Sequence, residues 1–208
     1  MLLFGHLGIT LGAAIATQGT KQYFRNNSKS DKVIPPTGSK QGISTHRTNF
    51  FLDTVTETLG KTIDIRFLLI GAILPDIIDK PLGLFNIGSG RSIAHTLLFL
   101  LIFTLAGLIL YIARKWKRIL VLASGILAHL ILDSMWLNTH TLFWPFYGSH
   151  FSTGNPSDWL SRWWSSLVSD PIVLICEATG FLIIAYFVYF LFKQRKLTTF
   201  VIDGYFIN

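Results

Sequence analysis

Residues 93–113, IAHTLLFLLIFTLAGLILYIA, form an apolar stretch long enough to cross the hydrocarbon core of a bilayer as one helix. Residues 172–192, IVLICEATGFLIIAYFVYFLF, form a second such stretch, and residues 119–137 are almost as long. Two shorter stretches, 2–16 and 65–79, would each rise roughly 22 Å as helices, so they span only a thinned bilayer or lie partly inside the bundle. The pattern predicts an all-α fold, a polytopic membrane bundle of about five helices.

The composition agrees with a membrane protein. Half of the 208 residues are hydrophobic and 14% are charged, which is well below the roughly 25% typical of soluble domains. The single cysteine, Cys176, excludes a disulfide framework within the chain and lies in an apolar run, which indicates a packing role. The sequence has no internal repeat and no sign of a second domain, so we expect one integral membrane domain over residues 1–208.

Lysine and arginine are distributed unevenly along this pattern. Fifteen of the 18 lie in the segment 17–66, the loop 114–118 or the tail after residue 192; the others are Lys80, Arg91 and Arg162. The positive-inside rule then predicts an N-terminus outside and a C-terminus inside, which agrees with an odd number of spans. The formal charge of +7 follows from cytoplasmic loops, so we expect no nucleic-acid partner. The predicted location is the cell membrane, with several passes.

The two long connections differ in character. Segment 17–64 is expected on the cytoplasmic side; its portions NNSKSDK (26–32) and PPTGSK (35–40) are polar and turn-rich, and residues 46–61 are loosely amphipathic. Segment 138–171 is expected as an outer interfacial loop. Its stretch DWLSRWWSSLV (158–168) predicts a short helix in the headgroup layer, with tryptophans on one face.

Ionisable side chains recur inside the apolar stretches. SGILAHLILDSMW (124–136) places His129 and Asp133 one helical turn apart on the same face. Such groups are costly at membrane depth and indicate a functional site. With the predicted topology, side chains from all five helices fall within roughly 10 Å of one depth near the outer face. Besides these two, they are His6, Asp76, Asp79, His95 and Glu177.

Imidazoles and carboxylates are the ligands of zinc and other borderline divalent ions. Taken singly, each histidine is equally compatible with a packing role, but their convergence predicts a metal centre in which His129 and Asp133 are adjacent ligands. Arg91, in GSGRSIAHT (88–96), opposes the positive-inside trend. Either phosphate recognition by its planar fork or snorkelling to the headgroups explains it. His140 either reaches the site or lines the interface.

The order of these motifs resembles a known family. His6, LPDIIDKPLG (74–83), GRSIAHTLL (90–98), LAHLILDSMW (127–136) and TLFWPFYG (141–148) follow one another as in inner-membrane-associated metal-dependent hydrolases, some described as LexA-binding. That family looks distantly related to zinc-dependent phospholipase C and the zinc single-strand nucleases. The resemblance covers nearly the whole chain except 17–64, which looks like an insertion. It implies metal-ligand roles for His6, Asp76, His95, His129 and Asp133.

Two positions depart from the pattern that the resemblance brings. Gly90 stands where many members have a histidine before the arginine, and Val173 stands where the soluble enzymes have the histidine of a His-x-x-x-Glu pair ending at Glu177. The departures imply one or two metal ions in place of three.

Two functions compete at this point. The first is a membrane-embedded hydrolase, dependent on a divalent metal such as Zn²⁺, that cleaves a phosphoester of a membrane lipid or another substrate with a metal-activated water. Asp79 or Glu177 would orient ligands or act as base, and Arg91 would hold the phosphate. The second is a non-enzymatic membrane carrier or regulator with a proton relay or a structural metal site.

Overall fold

The computed structural model describes residues 2–30, 63–84, 90–148, 150–151 and 159–204, and every regular element in these ranges is helical. The prediction of an all-α fold is therefore confirmed. In chain order the α-helices of these ranges are α1 (Leu3–Ser30), α2 (Ile65–Leu84), α3 (Leu97–Arg114), α4 (Arg118–Leu132), α5 (Thr139–Leu142), α6 (Trp159–Ser169), α7 (Pro171–Lys193) and α8 (Leu197–Asp203). Two short 3-10 turns, Ile93–His95 and Met135–Leu137, precede α3 and follow α4.

Two pairs of helices approach closely at glycines. A Cβ atom at Gly8 of α1 would collide with the backbone of Gly180 in α7, and one at Gly71 of α2 would collide with the backbone of Leu122 in α4. Small residues at such contacts let helix backbones approach, as they do in membrane bundles. Since α1 also packs against α2, the two pairs form one bundle, and α3 lies outside it against α4.

Within the described ranges, two helices are long and apolar enough to cross a membrane, α3 and α7. Only 6% of the apolar 18-residue stretch of α3 and 17% of that of α7 are buried inside the protein. A core helix of a soluble protein would be mostly buried, so these exposed apolar faces suit contact with lipid. The apolar parts of α1 and α4 are shorter, and a passage through the bilayer by all five predicted helices remains a prediction.

The predicted end of the first helix at residue 16 is wrong, because α1 continues to Ser30. Its second half is polar but contains no proline, and the first proline after it is Pro35. The first residues of NNSKSDK are thus helical. The predicted amphipathic segment 46–61 lies outside the described residues.

Two further boundaries differ because of local backbone geometry. α3 begins at Leu97 and not at residue 93, since Thr96 is extended and its side-chain oxygen accepts from the backbone N–H of Phe99 at 3.1 Å. α4 ends at Leu132 and not at residue 137, since Ser134 takes a left-handed conformation with φ of 52°. His95 and Asp133 therefore lie just outside regular helix.

The short helix predicted in the outer connection is present as α6, which packs against α7. Its Trp164 is exposed, as an anchor in the headgroup layer would be. The placement of α6 in that layer remains a prediction.

Helix α8 lies at the end of the bundle opposite His6, His95 and His129. Arg66 makes two 3.0 Å contacts with the buried carboxylate of Asp64. The same guanidinium donates to the carbonyls of Val201 and Ile202 at the end of α8, at 2.9 and 2.7 Å. The buried apolar core beneath these contacts consists of Leu11, Ile65, Phe187 and Leu191.

Candidate metal centre

Five side chains that the sequence assigns as metal ligands converge at one end of the bundle. Their ligand atoms fall into two overlapping groups, each within 4.8 Å: His6 with Asp76 and His129, and His95 with His129 and Asp133. They come from the first turn of α1, the C-terminal part of α2, the turn before α3 and the end of α4. The three imidazoles are fully buried. The structure thus brings together residues that lie far apart in sequence.

Hydrogen bonds fix the tautomers of two of these imidazoles. The Nδ1 atom of His129 lies 2.7 Å from the carbonyl oxygen of Ala72, which only accepts, so Nδ1 is the donor. The Nδ1 atom of His95 lies 2.7 Å from the carboxylate of Asp79 and donates to it. In a neutral imidazole the other nitrogen then carries a lone pair. The Nε2 atoms of both rings are therefore acceptors.

These two acceptor nitrogens face each other at 3.1 Å. Two lone pairs at that separation repel each other unless a proton or a metal cation lies near both. The Oδ1 atom of Asp76 lies 3.7 Å from the Nε2 atom of His95 and 3.9 Å from that of His129. A point equidistant from these three atoms lies about 2.1 Å from each, which is the length of a zinc–nitrogen or zinc–oxygen bond. The donor set and its spacing therefore fit a divalent metal ion.

His6 and Asp133 extend the same set. The Oδ2 atom of Asp133 lies 3.8 Å from the Nε2 atom of His95, within reach of a further ligand position. The ring of His6 stacks on that of His129 with centroids 4.1 Å apart. Its Nε2 atom lies 3.2 Å from Asp133 Oδ1, but neither ring nitrogen makes a well-directed hydrogen bond to a described residue. A buried imidazole without such a bond is unusual, and metal coordination would satisfy it.

Asp79 holds the loop that brings His95 into place. Its buried carboxylate accepts from the backbone N–H groups of Ser92, Ala94 and His95 at 2.7, 3.1 and 3.2 Å. Together with the contact to the imidazole of His95, these bonds fix both the backbone and the ring of that residue. Carboxylates that orient a ligating histidine in this way are common behind metal sites. Of the two roles predicted for Asp79, its position suits the orienting one.

Two basic side chains lie at the exposed edge of the site. Arg91 places an Nη2 atom 2.8 Å from Asp133 Oδ2, and Lys80 places its Nζ atom 2.6 Å from Asp76 Oδ2. Their side chains are 44% and 32% exposed. Arg91 was expected to hold a phosphate, and its position beside the ligands is compatible with that role.

Glu177, expected to orient ligands or act as base, has its carboxylate at the N-terminus of α1. Its carboxylate accepts from the backbone N–H groups of Leu2, Phe4 and Gly5, at 2.7, 3.0 and 3.0 Å. These are the amides that the first turn of a helix leaves without an internal partner. Glu177 therefore caps α1 and can position His6 through the backbone. A direct catalytic role for Glu177 remains a prediction.

His140 does not join the ligand set. It is exposed on α5, with its ring 6.5 Å from that of Tyr147. Of the two alternatives left open by the sequence, a place at the membrane interface remains a prediction.

Sequence reasoning missed Lys80 and the carbonyl of Ala72. The spacing of Lys80, four residues after Asp76 on one helix, was a usable signal for an ion pair. The carbonyl of Ala72 carried no signal, because any residue type supplies the same backbone oxygen.

Comparison with known proteins identifies the family of the chain but assigns it no activity. The chain matches the family described as YdjM inner membrane protein over residues 1–202. No curated protein and no solved structure matches it. The inner-membrane part of the predicted resemblance is confirmed; its hydrolase and LexA-binding parts, and the likeness to phospholipase C and the nucleases, remain predictions. The match agrees with the exposed apolar helices: the chain belongs to the YdjM inner membrane protein family.

Proposed function

We propose that the protein is a membrane-embedded metal-dependent hydrolase that cleaves a phosphoester, with Zn²⁺ as the metal. The observation that carries the proposal is the pair of inward-facing Nε2 acceptors of His95 and His129, 3.1 Å apart, beside carboxylate oxygens of Asp76 and Asp133. His6 completes the proposed ligand set. One or two ions would occupy it, since two groups of ligand atoms share His129.

A bound zinc ion would supply Lewis acidity and make hydroxide available near neutral pH. In the reaction the water oxygen joins phosphorus, the bond from phosphorus to the leaving oxygen breaks, and a water proton ends on the leaving alcohol. Asp79 would keep the Nε2 lone pair of His95 directed into the site. Arg91, half exposed beside Asp133, would hold a phosphoryl oxygen through its planar fork.

A membrane lipid is the proposed source of the phosphoester. Large apolar side chains within four residues of a proposed ligand in sequence are exposed: Ile77, Ile93, Trp136 and Leu137. An apolar rim around an anion-binding centre suits an amphiphile with a charged head and hydrocarbon chains. The positive-inside asymmetry supports placing this end of the bundle at the outer face.

A proton relay remains the second candidate, because a shared proton would also relieve the 3.1 Å contact between His95 and His129. Metal analysis separates the two. Protein purified without chelators should hold zinc in at least a one-to-one ratio, and His129→Ala should lose most of it. The zinc-loaded protein should hydrolyse bis(p-nitrophenyl) phosphate or phospholipid in mixed micelles, and His129→Ala should not. Absence of any bound transition metal from wild-type protein would favour the proton relay.

A further inference from the structure

The two basic side chains at the edge of the site each contact a proposed metal ligand. Lys80 lies 2.6 Å from Asp76 Oδ2, and Arg91 lies 2.8 Å from Asp133 Oδ2. Both carboxylates are also within 3.8 Å of one atom, the Nε2 atom of His95. Each cation is therefore one contact away from the same imidazole. Lys80 and Arg91 are partly exposed, whereas the imidazoles behind them are fully buried.

The net charge of this cluster would change from negative to positive when a divalent metal ion binds. Among these side chains, the carboxylates of Asp76, Asp79 and Asp133 and the cations of Lys80 and Arg91 sum to a charge of −1 with neutral imidazoles. The carboxylate of Glu177 is not counted here because its hydrogen bonds go to the amides of α1. One divalent ion would bring the cluster to +1. The site should then repel anions without metal and attract them with it.

On this basis, and resting on the proposed metal function, we propose that Lys80 is a second anion-recognition residue. With Arg91 it forms a two-cation cradle for one phosphate group, and the cradle becomes available only when metal is bound. Without metal, the two side chains act as counter-ions for Asp76 and Asp133. With metal bound, the ion neutralises the carboxylates of Asp76 and Asp133. The partly exposed cations of Lys80 and Arg91 can then contact a phosphodiester anion.

Zinc affinity distinguishes an anion-binding Lys80 from a Lys80 that merely supports Asp76. A supporting residue, when replaced, would weaken zinc binding along with everything else. If Lys80 is instead a counter-ion that competes with the metal for Asp76, its replacement removes that competing positive charge and leaves the Asp76 carboxylate free to bind the metal. Lys80→Gln should therefore bind zinc as tightly as wild type or more tightly, while its affinity for a phosphate diester falls about tenfold. Lys80→Arg, which keeps the charge, should recover most of that affinity.

Calorimetric titration of detergent-solubilised protein with diethyl phosphate tests the cradle without requiring turnover. Zinc-loaded wild type should bind it, and metal-free protein should bind at least tenfold more weakly. Lys80→Gln and Arg91→Gln should each weaken binding in the zinc-loaded state. The matched control is Lys115→Gln, at the other end of α3, where the ammonium lies 5.3 Å from the ring of Tyr111; it should bind as wild type does.

Wild-type affinity for diethyl phosphate in zinc-loaded Lys80→Gln, or a loss of zinc parallel to the loss of diester binding, would overturn the assignment. Monomeric dihexanoyl phosphatidylglycerol identifies the source of the phosphate: tighter binding than diethyl phosphate assigns a lipid, and equal binding assigns a soluble diester. Diester binding without hydrolysis of any phosphodiester would refute the hydrolase and leave the cradle standing. Unchanged phosphodiester hydrolysis in Lys80→Gln would refute the cradle and leave the hydrolase standing.

Discussion

Replacement of Asp79 tests whether the residue behind His95 tunes a metal site. Asp79→Ala removes the acceptor for three backbone N–H groups and for the imidazole of His95, whose Nδ1 atom then loses a 2.7 Å hydrogen bond. Outer partners of this kind are worth about 10–100-fold in metal affinity. Because every contact is lost, we expect the upper end of that range for Asp79→Ala, with a lower unfolding temperature from the unsatisfied amides.

Asp79→Asn should fall at the lower end, about tenfold. Its amide oxygen can take the position of Oδ2, the atom nearest to His95 Nδ1 and to the backbone N–H of Ser92, so those contacts survive while the negative charge is lost. Zinc affinity is measured by competition with a chromophoric chelator, and folding by thermal denaturation. Asp170→Asn is the matched control, since Asp170 caps α7 and Asn caps a helix equally well. Wild-type zinc affinity in folded Asp79→Ala would refute the reasoning.

Three further variants test neighbouring parts of the account. Arg91→Ala should keep its metal but lose more than tenfold in turnover, from a charge-assisted contact of about 1.5–3 kcal/mol, and Arg91→Lys should recover part of it; wild-type turnover would remove Arg91 from the site. In a Cys176→Ala background, Gly88→Cys should react with an impermeant thiol reagent from outside and a cysteine in loop 114–118 only from inside; the reverse pattern would contradict the topology. Gly125→Leu should destabilise the protein by about 1–3 kcal/mol and reduce metal binding, because its side chain would collide with the backbone of α2; an unchanged melting temperature would show that α2 and α4 do not need this close contact.

The sequence predicts the convergence of the ligand set because helix geometry limits where a side chain can lie. Rise per residue gives depth, and loop charges indicate which ends share a side. This placed His6, Asp76, His95, His129 and Asp133 at one end, where the structure brings them together. Their roles as ligands remain a prediction.

Depth alone did not predict the partners of Glu177. Its carboxylate accepts from the amides of Leu2, Phe4 and Gly5. Backbone donors are invisible to a reading of residue types, because every non-proline residue has one. For the same reason the tautomer of His129, fixed by the carbonyl of Ala72, could be known only from the structure.

The pattern of apolar residues also did not predict where α3 begins or where α4 ends. That pattern continues through Thr96 and Ser134, yet the first is extended and the second left-handed, and both changes direct site residues. His95 thereby lies in a short turn over Asp79, where its ring nitrogen and its backbone N–H contact the same carboxylate. Of the predicted ligands, His95 and Asp133 thus lie where regular α-helix stops, whereas His6, Asp76 and His129 lie within helices.

The central claim is that the imidazoles of His95 and His129 hold a metal ion. X-ray absorption at the zinc edge, on protein purified without chelators and loaded with one equivalent of Zn²⁺, measures this. We predict a first shell of nitrogen and oxygen at about 2.0–2.1 Å, with the outer-shell scattering of at least two imidazoles. A zinc environment without imidazole scattering, or a protein that retains no zinc, would contradict the assignment of this cluster as a metal centre.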